Sequence, residues 1–316
     1  MKSNSEATLP EKTGVLQKTL ININKYKYLY LLLLPGFIWY LIYKYLPMYG
    51  LIIAFKDYNF SKGIFGSPWV GLKHFKFLFS YPDFYRILKN TILLNVYELL
   101  FVFPASIILA LLLNEIRNMF FKRTIQTVVY FPHFLSWVVF GGIVIQILSP
   151  TSGFVNQILE LFGLEPIYFM AESQYFRPIV ILSLILKEAG WGAIIYLAAL
   201  SGIDPQQYEA ATMDGATRFQ KLIYVTLPGI RNTIILLFIL QIGRMMDYGF
   251  EQIYILYNPM VYDVGDVLST YIYRIGLQDA RFSVATAIGF FQSFIGLILI
   301  WVANTIARRT SNVSIW

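Results

Sequence analysis

The chain has 316 residues, 57% of them hydrophobic, 17% aromatic and only 14% charged, and its mean hydropathy of +0.58 excludes a soluble globular domain. The absence of cysteine excludes a disulfide scaffold and any thiolate-held metal centre, and two histidines, His74 and His133, leave little for a metal cluster. A net charge of +7 would suggest nucleic acid in a soluble protein, but here the basic residues sit at the ends of apolar runs, where they set membrane orientation, and no nucleic-acid partner is expected.

A hydrocarbon core of about 30 Å needs about 20 helical residues to cross it, and six runs meet that length. An N-terminal tail over 1–27 carries five lysines, Lys2, Lys12, Lys18, Lys25 and Lys27. The first run, Tyr28 to Leu46, reads as an uncleaved anchor, because the polar stretch before it is long and no small-residue cleavage site follows. Tyr26, Tyr28, Tyr30, Trp39, Tyr43 and Tyr45 around it suit an interfacial belt. The connection from Pro47 to Asn90 holds six basic residues and suits a helix lying on the outer surface. The second run is Thr91 to Asn114, followed by Arg117, Lys122 and Arg123. The third is Thr124 to Leu148, in which His133 after Pro132 reads as a packed polar group near a kink. No Lys or Arg lies between Ser149 and Phe176, and the fourth run is Pro178 to Leu200. A polar loop over 201–231 with Arg218, Lys221 and Arg231 precedes the fifth run, Thr233 to Leu256. The next connection has only Arg274; the sixth run, Ser283 to Ile306, leads to a tail over 307–316 with Arg308 and Arg309. Excess basic charge marks the cytoplasmic side, so both tails and the polar loop are expected there. The basic connection before Asn90 is the one dissenter.

The polar island Asp204 to Pro228 resolves into two capped helices. Asp204 can cap, Pro205 takes the first helical position and Gln207 can reach back as a capping box. That helix runs to Gly215, a residue suited to a left-handed ending. Thr217 with Gln220 forms a second box, opening a helix that stops at Pro228.

Ionisable residues within apolar spans face a cavity or a partner. They are Glu98 in the second run, Lys187 and Glu188 in the fourth, and Arg244, Asp247 and Glu251 in the fifth. Arg244, Asp247, Tyr248 and Glu251 fall at i, i+3, i+4 and i+7, one face of a continuous helix. Lys187, Glu188 and Trp191 lie beside expected backbone breaks at Gly190 and Gly192. Aromatic rings with planar polar groups suit a sugar pathway. The alternative, that Arg244 with Asp247 or Glu251, and Lys187 with Glu188 or Glu98, are neutralising pairs, stays open.

The island also carries a resemblance. Glu209, Ala210, Ala211, three residues, Gly215, nine residues, then Val225, Thr226, Leu227, Pro228 resembles the loop of ABC importer permeases, EAA-x3-G-x9-I-x-LP, departing from it only in Val225. The similarity extends over nearly the whole chain to maltose-type carbohydrate permeases, through GWGAIIYLAALSGIDPQQYEAATMDGA, GFEQIYILYNPMVYDVGDVLSTYIYRIGL and FSVATAIGFFQSFIGLILIWVAN, and is strongest with a six-span Gram-positive branch importing complex oligosaccharides. It implies an all-α polytopic membrane protein of about six spans, the type I ABC importer permease fold, in a bacterial plasma membrane. The short helix would be a cytoplasmic coupling helix, with Glu209 the ionic anchor in an ATPase cleft, Ala210 and Ala211 allowing close approach, Gly215 turning the chain, and Thr212 and Asp214 lining that cleft. The implied partners are a second homologous permease, two ABC ATPase subunits, an extracellular lipid-anchored solute-binding protein, an oligosaccharide and membrane lipid.

No phosphate-cradling G-x4-G-K-[ST] pattern occurs, so ATP and Mg are expected on the ATPase subunits, with no cofactor on this chain. The competing readings are an importer permease for peptides or amino acids, a secondary transporter, which would show duplicated halves, and a membrane enzyme, for which no nucleophile and base are assembled. Lys187 and Arg244 point to a uronic-acid-containing cargo.

Overall fold

The computed structural model describes residues 25–311; Lys2, Lys12, Lys18 and the last five residues lie outside them. The chain divides at Ile52 into two units. The described residues of the first include α1 (Lys27–Tyr40), continued through a π turn, Leu41–Tyr45, into Leu46–Met48. Its own unit offers it no core, and no residue of these three segments is buried.

The second unit begins with an arm that includes α2 (Lys73–Ser80). A long helix follows, α3 (Pro82–Glu115), then α4 (Met119–Tyr130), α5 (Trp137–Ile147), the short α6 (Phe154–Leu161) and α7 (Ser173–Ser201). Next come α8 (Pro205–Met213), α9 (Arg218–Lys221), α10 (Arg231–Gly243), α11 (Phe250–Leu256), α12 (Leu268–Tyr273) and α13 (Phe282–Ser311).

Hydrogen bonds fix which connections share an end of this unit. Ser173 at the start of α7 donates to Asp263, Asn90 in α3 donates to the carbonyls of Asp263 and Asp266, and Arg177 donates to Asn90. Ser283 at the start of α13 donates to the Lys56 carbonyl in the arm. The arm, the segment before α7 and the segment 257–281 therefore lie together, with α8 and α9 at the other end. At that other end Ala110, Ala193, Tyr196, Leu200 and Ile230 form a buried cluster.

Pro35 and Pro178 lie inside α1 and α7, and three further prolines sit where one helical segment runs into the next. Pro47, Pro104 and Pro228 each follow a five-residue π turn, Leu41–Tyr45, Glu98–Val102 and Leu222–Thr226. Proline lacks an N–H and its ring crowds the carbonyl four residues back, so one wide turn absorbs both defects. The helix expected to stop at Pro228 instead continues through Gly229 and meets α10 at 60°.

Two expected spans are broken. The third bends by 105° between Phe134 and Trp137, with Ser136 capping α5 through the Val139 amide at 3.3 Å. The fifth ends its first helix at Gly243 and resumes at Phe250. The reverse correction applies to α7, where the breaks expected at Gly190 and Gly192 do not occur. These glycines serve close packing instead. A Cβ on Gly190 would fall on the Val129 carbonyl of α4, and one on Gly192 would lie 2.6 Å from Ser106 Oγ of α3. Small residues are what let helices approach this closely in a membrane.

Gly190→Ala should therefore cost about 1–3 kcal/mol through overpacking against backbone, read as a lowered thermal midpoint of the purified protein. Gly142→Ala on α5, where a Cβ meets nothing within 4 Å, should be neutral or stabilising. Equal effects would contradict the packing role.

Candidate functional site

Some of the residues singled out by sequence gather in two places. At one end, α8 stands on the surface with no buried residue. Asp204 caps it by accepting from the Gln206 amide at 3.0 Å, while the expected return bond from Gln207 is not made, so this cap is half a box. Gly215 adopts φ +76, and the Ala216 amide reaches back to the Ala211 carbonyl at 2.9 Å. Thr217 and Gln220 form the complete box that opens α9. The two helices are tied together: Lys221 Nζ donates to Thr212 Oγ1 at 2.8 Å, and the Tyr208 and Thr226 hydroxyls are 3.0 Å apart. Thr212 is thus occupied in holding the hairpin. Glu209, Ala210 and Asp214 are exposed and Ala211 is half-buried, and among the described residues Glu209 forms no salt bridge.

The second place lies between α3, α7 and α10, a cleft of about 540 Å³ lined by Glu98, Ser106, Glu188, Trp191, Gln241 and Arg244 among others. Each carboxylate in it is engaged. Glu98, opening the π turn of α3, accepts from Gln241 Nε2 at 2.7 Å, and Glu188 Oε2 is 2.8 Å from His133 Nδ1. The His133 ring lies flat against Trp191, centroids 4.3 Å apart and planes 3° from parallel, and Phe134 meets Trp191 edge-on. The outer face of the indole remains open to the cleft, since Trp191 is 44% exposed.

Lys187 is not in the cleft. Its side chain is buried at 4% exposure, with Nζ donating to the carbonyls of Pro132 at 3.1 Å, His133 at 2.9 Å and Leu135 at 2.6 Å. The rings of Trp137 and Phe140 lie 5.4 and 5.9 Å from it. An ammonium has three N–H donors, and all three go to the broken backbone between α4 and α5. Glu188 Oε1, at 3.9 Å, adds a weak counter-charge. Lys187 is therefore a staple of the bend rather than a group facing cargo.

The shared face expected for Arg244, Asp247, Tyr248 and Glu251 does not exist, because α10 has ended before Arg244. Arg244 borders both the main cleft and a second one of about 480 Å³, which contains Asp247, Gln292 and Ser293. Asp247 lies 3.5 Å from Gln292 Nε2. Tyr248 is buried with its hydroxyl unpartnered, and Glu251 is exposed in the first turn of α11. Among the described residues Arg244 makes no salt bridge, so the neutralising pairs considered for it are absent. Gln241, Ser106 and His133 join the site unforeseen. Gln241, three residues before Arg244 in an apolar run, carried a readable signal; Ser106 and His133 are placed only by contacts distant in sequence.

Residues 102–312 match the family described as binding-protein-dependent transport system inner membrane component. The chain is 46% identical over 318 residues to the polygalacturonan/rhamnogalacturonan transport system permease protein YteP of Bacillus subtilis (strain 168), covering 99% of each protein. It is 48% identical to protein LplB of the same organism over 283 residues, covering 90% of this chain and 89% of that one. Among solved structures, a bacterial ABC transporter involved in importing the acidic polysaccharide alginate superposes with a TM-score of 0.87 at 44% identity, covering 93% of this chain and 99% of that one.

Lys187→Met should leave the His133 and Leu135 carbonyls without donors, Pro132 keeping the Leu135 amide at 3.2 Å, at about 1–3 kcal/mol for each buried group left unsatisfied, and lower the thermal midpoint by several degrees. Glu188→Gln keeps a planar acceptor beside His133 and should change it little. Equal losses from both would contradict the staple.

Proposed function

The chain belongs to the family of binding-protein-dependent transport system inner membrane components, and from that membership we propose that it forms, with a second permease, the pathway of an ATP-driven importer for uronic-acid-containing oligosaccharides. Of two ATPase subunits on the cytoplasmic side, one docks on α8, a solute-binding protein delivers cargo at the opposite end, and both termini are cytoplasmic. The observation that carries this reading is α8 itself. A nine-residue helix is too short to be stable alone, yet both its ends are fixed by caps and turns while its surface, with Glu209, is left uncovered. That is the form of a lever awaiting a socket.

The lever reaches the cleft through covalent and packed structure. The Tyr208 to Thr226 bond joins α8 to the π turn before Pro228, and α10 follows directly. At the far end of α10, Gln241 holds Glu98 and Arg244 borders the cleft. Displacement of α8 as the ATPases close would shift the wall carrying Arg244 relative to that carrying Trp191, opening and closing the path with no covalent step on this chain.

Support for a uronate cargo comes from two directions. Polygalacturonan and alginate, named for the relative and the structural neighbour, are both built of uronic acids. In the cleft, Glu98 and Glu188 are engaged by Gln241 and His133, which leaves Arg244 as an available cation and the open face of Trp191 as a platform for a sugar ring. A guanidinium can take a carboxylate through two parallel hydrogen bonds.

Glu209→Lys should abolish uptake and uncouple ATP hydrolysis from binding protein while the subunit still inserts into the membrane; normal transport would remove the docking assignment. Arg244→Ala should reduce uptake of acidic oligosaccharides by about tenfold or more, the scale of one lost charge-assisted contact, and spare neutral ones. Equal loss for both cargoes would remove charge selection from Arg244.

A further inference from the structure

The six basic residues between Pro47 and Asn90 contradict the charge rule that orients the other connections, and the transport reading does not use them. From Lys56 to Ser80 four lysines stand against one acidic residue, Asp57. The segment is built as a rigid arm. Lys56 pairs with Trp69 in an antiparallel bridge, and its Nζ donates to the carbonyls of Ile64 at 2.8 Å and Phe65 at 3.2 Å. The buried Ser67 hydroxyl donates to the Gly63 carbonyl at 2.6 Å and accepts from the Asn59 amide at 3.0 Å.

The arm lies along the flank of α13. Its root is held by Ser283, which donates to the Lys56 carbonyl and accepts from the Tyr58 amide. Further along, Phe55 and Phe75 pack on Phe290, and Phe79 on Phe291. Phe290 is about 12 Å along the helix from its first residue, at 1.5 Å per residue. The apolar stretch Phe282–Arg309 has 28 residues, about 42 Å, which exceeds a 30 Å hydrocarbon core by roughly 12 Å shared between its ends. The arm thus straddles the level where headgroups meet acyl chains. At that level it turns outward Phe60 at 86% exposure, Trp69 at 62% and Leu72 at 58%, among exposed Lys62, Lys73 and Lys76. Lys73 is shared with Asp57 at 2.9 Å, a hydrogen bond that holds the Asp57 carboxyl below the usual carboxylate range. Lys62 and Lys76 make no salt bridge among the described residues.

We propose that this arm is an anionic-lipid site: Phe60, Trp69 and Leu72 enter the acyl boundary while Lys62 and Lys76, with Lys73 beside them, bind the phosphates of lipid headgroups. Apolar rings beside lysines at this depth are the composition of an interfacial anchor. The flank position favours lipid over a protein docked on the end of the bundle. It also accounts for the dissenting charge, since these lysines answer to lipid phosphate rather than to the rule for short connections.

The assembled transporter is reconstituted in vesicles of brominated phosphatidylglycerol or brominated phosphatidylcholine, and Trp69 quenching is taken as the difference between the native protein and Trp69→Phe. Quenching is expected in both lipids and about two-fold or more greater in phosphatidylglycerol, with Lys62→Glu/Lys76→Glu abolishing the excess and keeping the rest. No Trp69 quenching in either lipid, as when protein covers the arm, overturns the site. So does equal quenching in both lipids, which would leave a contact without headgroup recognition. The native protein decides both points if the double variant fails to assemble.

Discussion

The ammonium of Lys187 on three carbonyls is the contact on which the interior of this protein depends. Backbone that leaves helical geometry within an apolar medium exposes acceptors with no water to satisfy them. The 105° bend between α4 and α5 creates such acceptors at His133 and Leu135, and a lysine arriving from α7 satisfies both while adding a donor to Pro132, which also accepts from the Leu135 amide. Once that turn is held, His133 is fixed beside Glu188, and its ring becomes the backing on which Trp191 lies flat. The platform offered to the cleft is a consequence of how the bend is stapled.

The same economy recurs elsewhere. Pro47, Pro104 and Pro228 are absorbed by π turns, and glycines that look like hinges are contact points where α7 meets α3 and α4. What remains irregular is concentrated between Gly243 and Phe250, beside Arg244 and both clefts. Non-helical backbone is thus placed where the end of α10 meets the cleft.

Much of the end that carries α8 was legible in the chain, because capping and the left-handed glycine are local chemistry. Asp204, Gly215, Thr217 and Gln220 act within four residues of themselves. The interior was harder to read. A uniformly apolar run from Thr124 to Leu148 has the same hydropathy straight or bent, and only Pro132 hinted at the break. The partners of Lys187 lie 52 to 55 residues away, a distance that helical periodicity cannot express. Placing Arg244, Asp247, Tyr248 and Glu251 on one face presumed a helix that ends at Gly243. The short α6 gave no sign at all, since it is held by Asn156 bonding to Ser149 and Ile167 on either side of it.

The central claim, that α8 is the cytoplasmic joint with an ATPase, can be tested at a single atom because the chain contains no cysteine. With Ala210→Cys as this chain's sole thiol in native vesicles, cross-linking to the ATPase subunit is expected, with labelling by an impermeant maleimide only from the cytoplasmic side. Phe162→Cys, at the opposite end, should label only from outside. Labelling of Ala210→Cys from outside, or cross-linking to the solute-binding protein instead, would contradict the account.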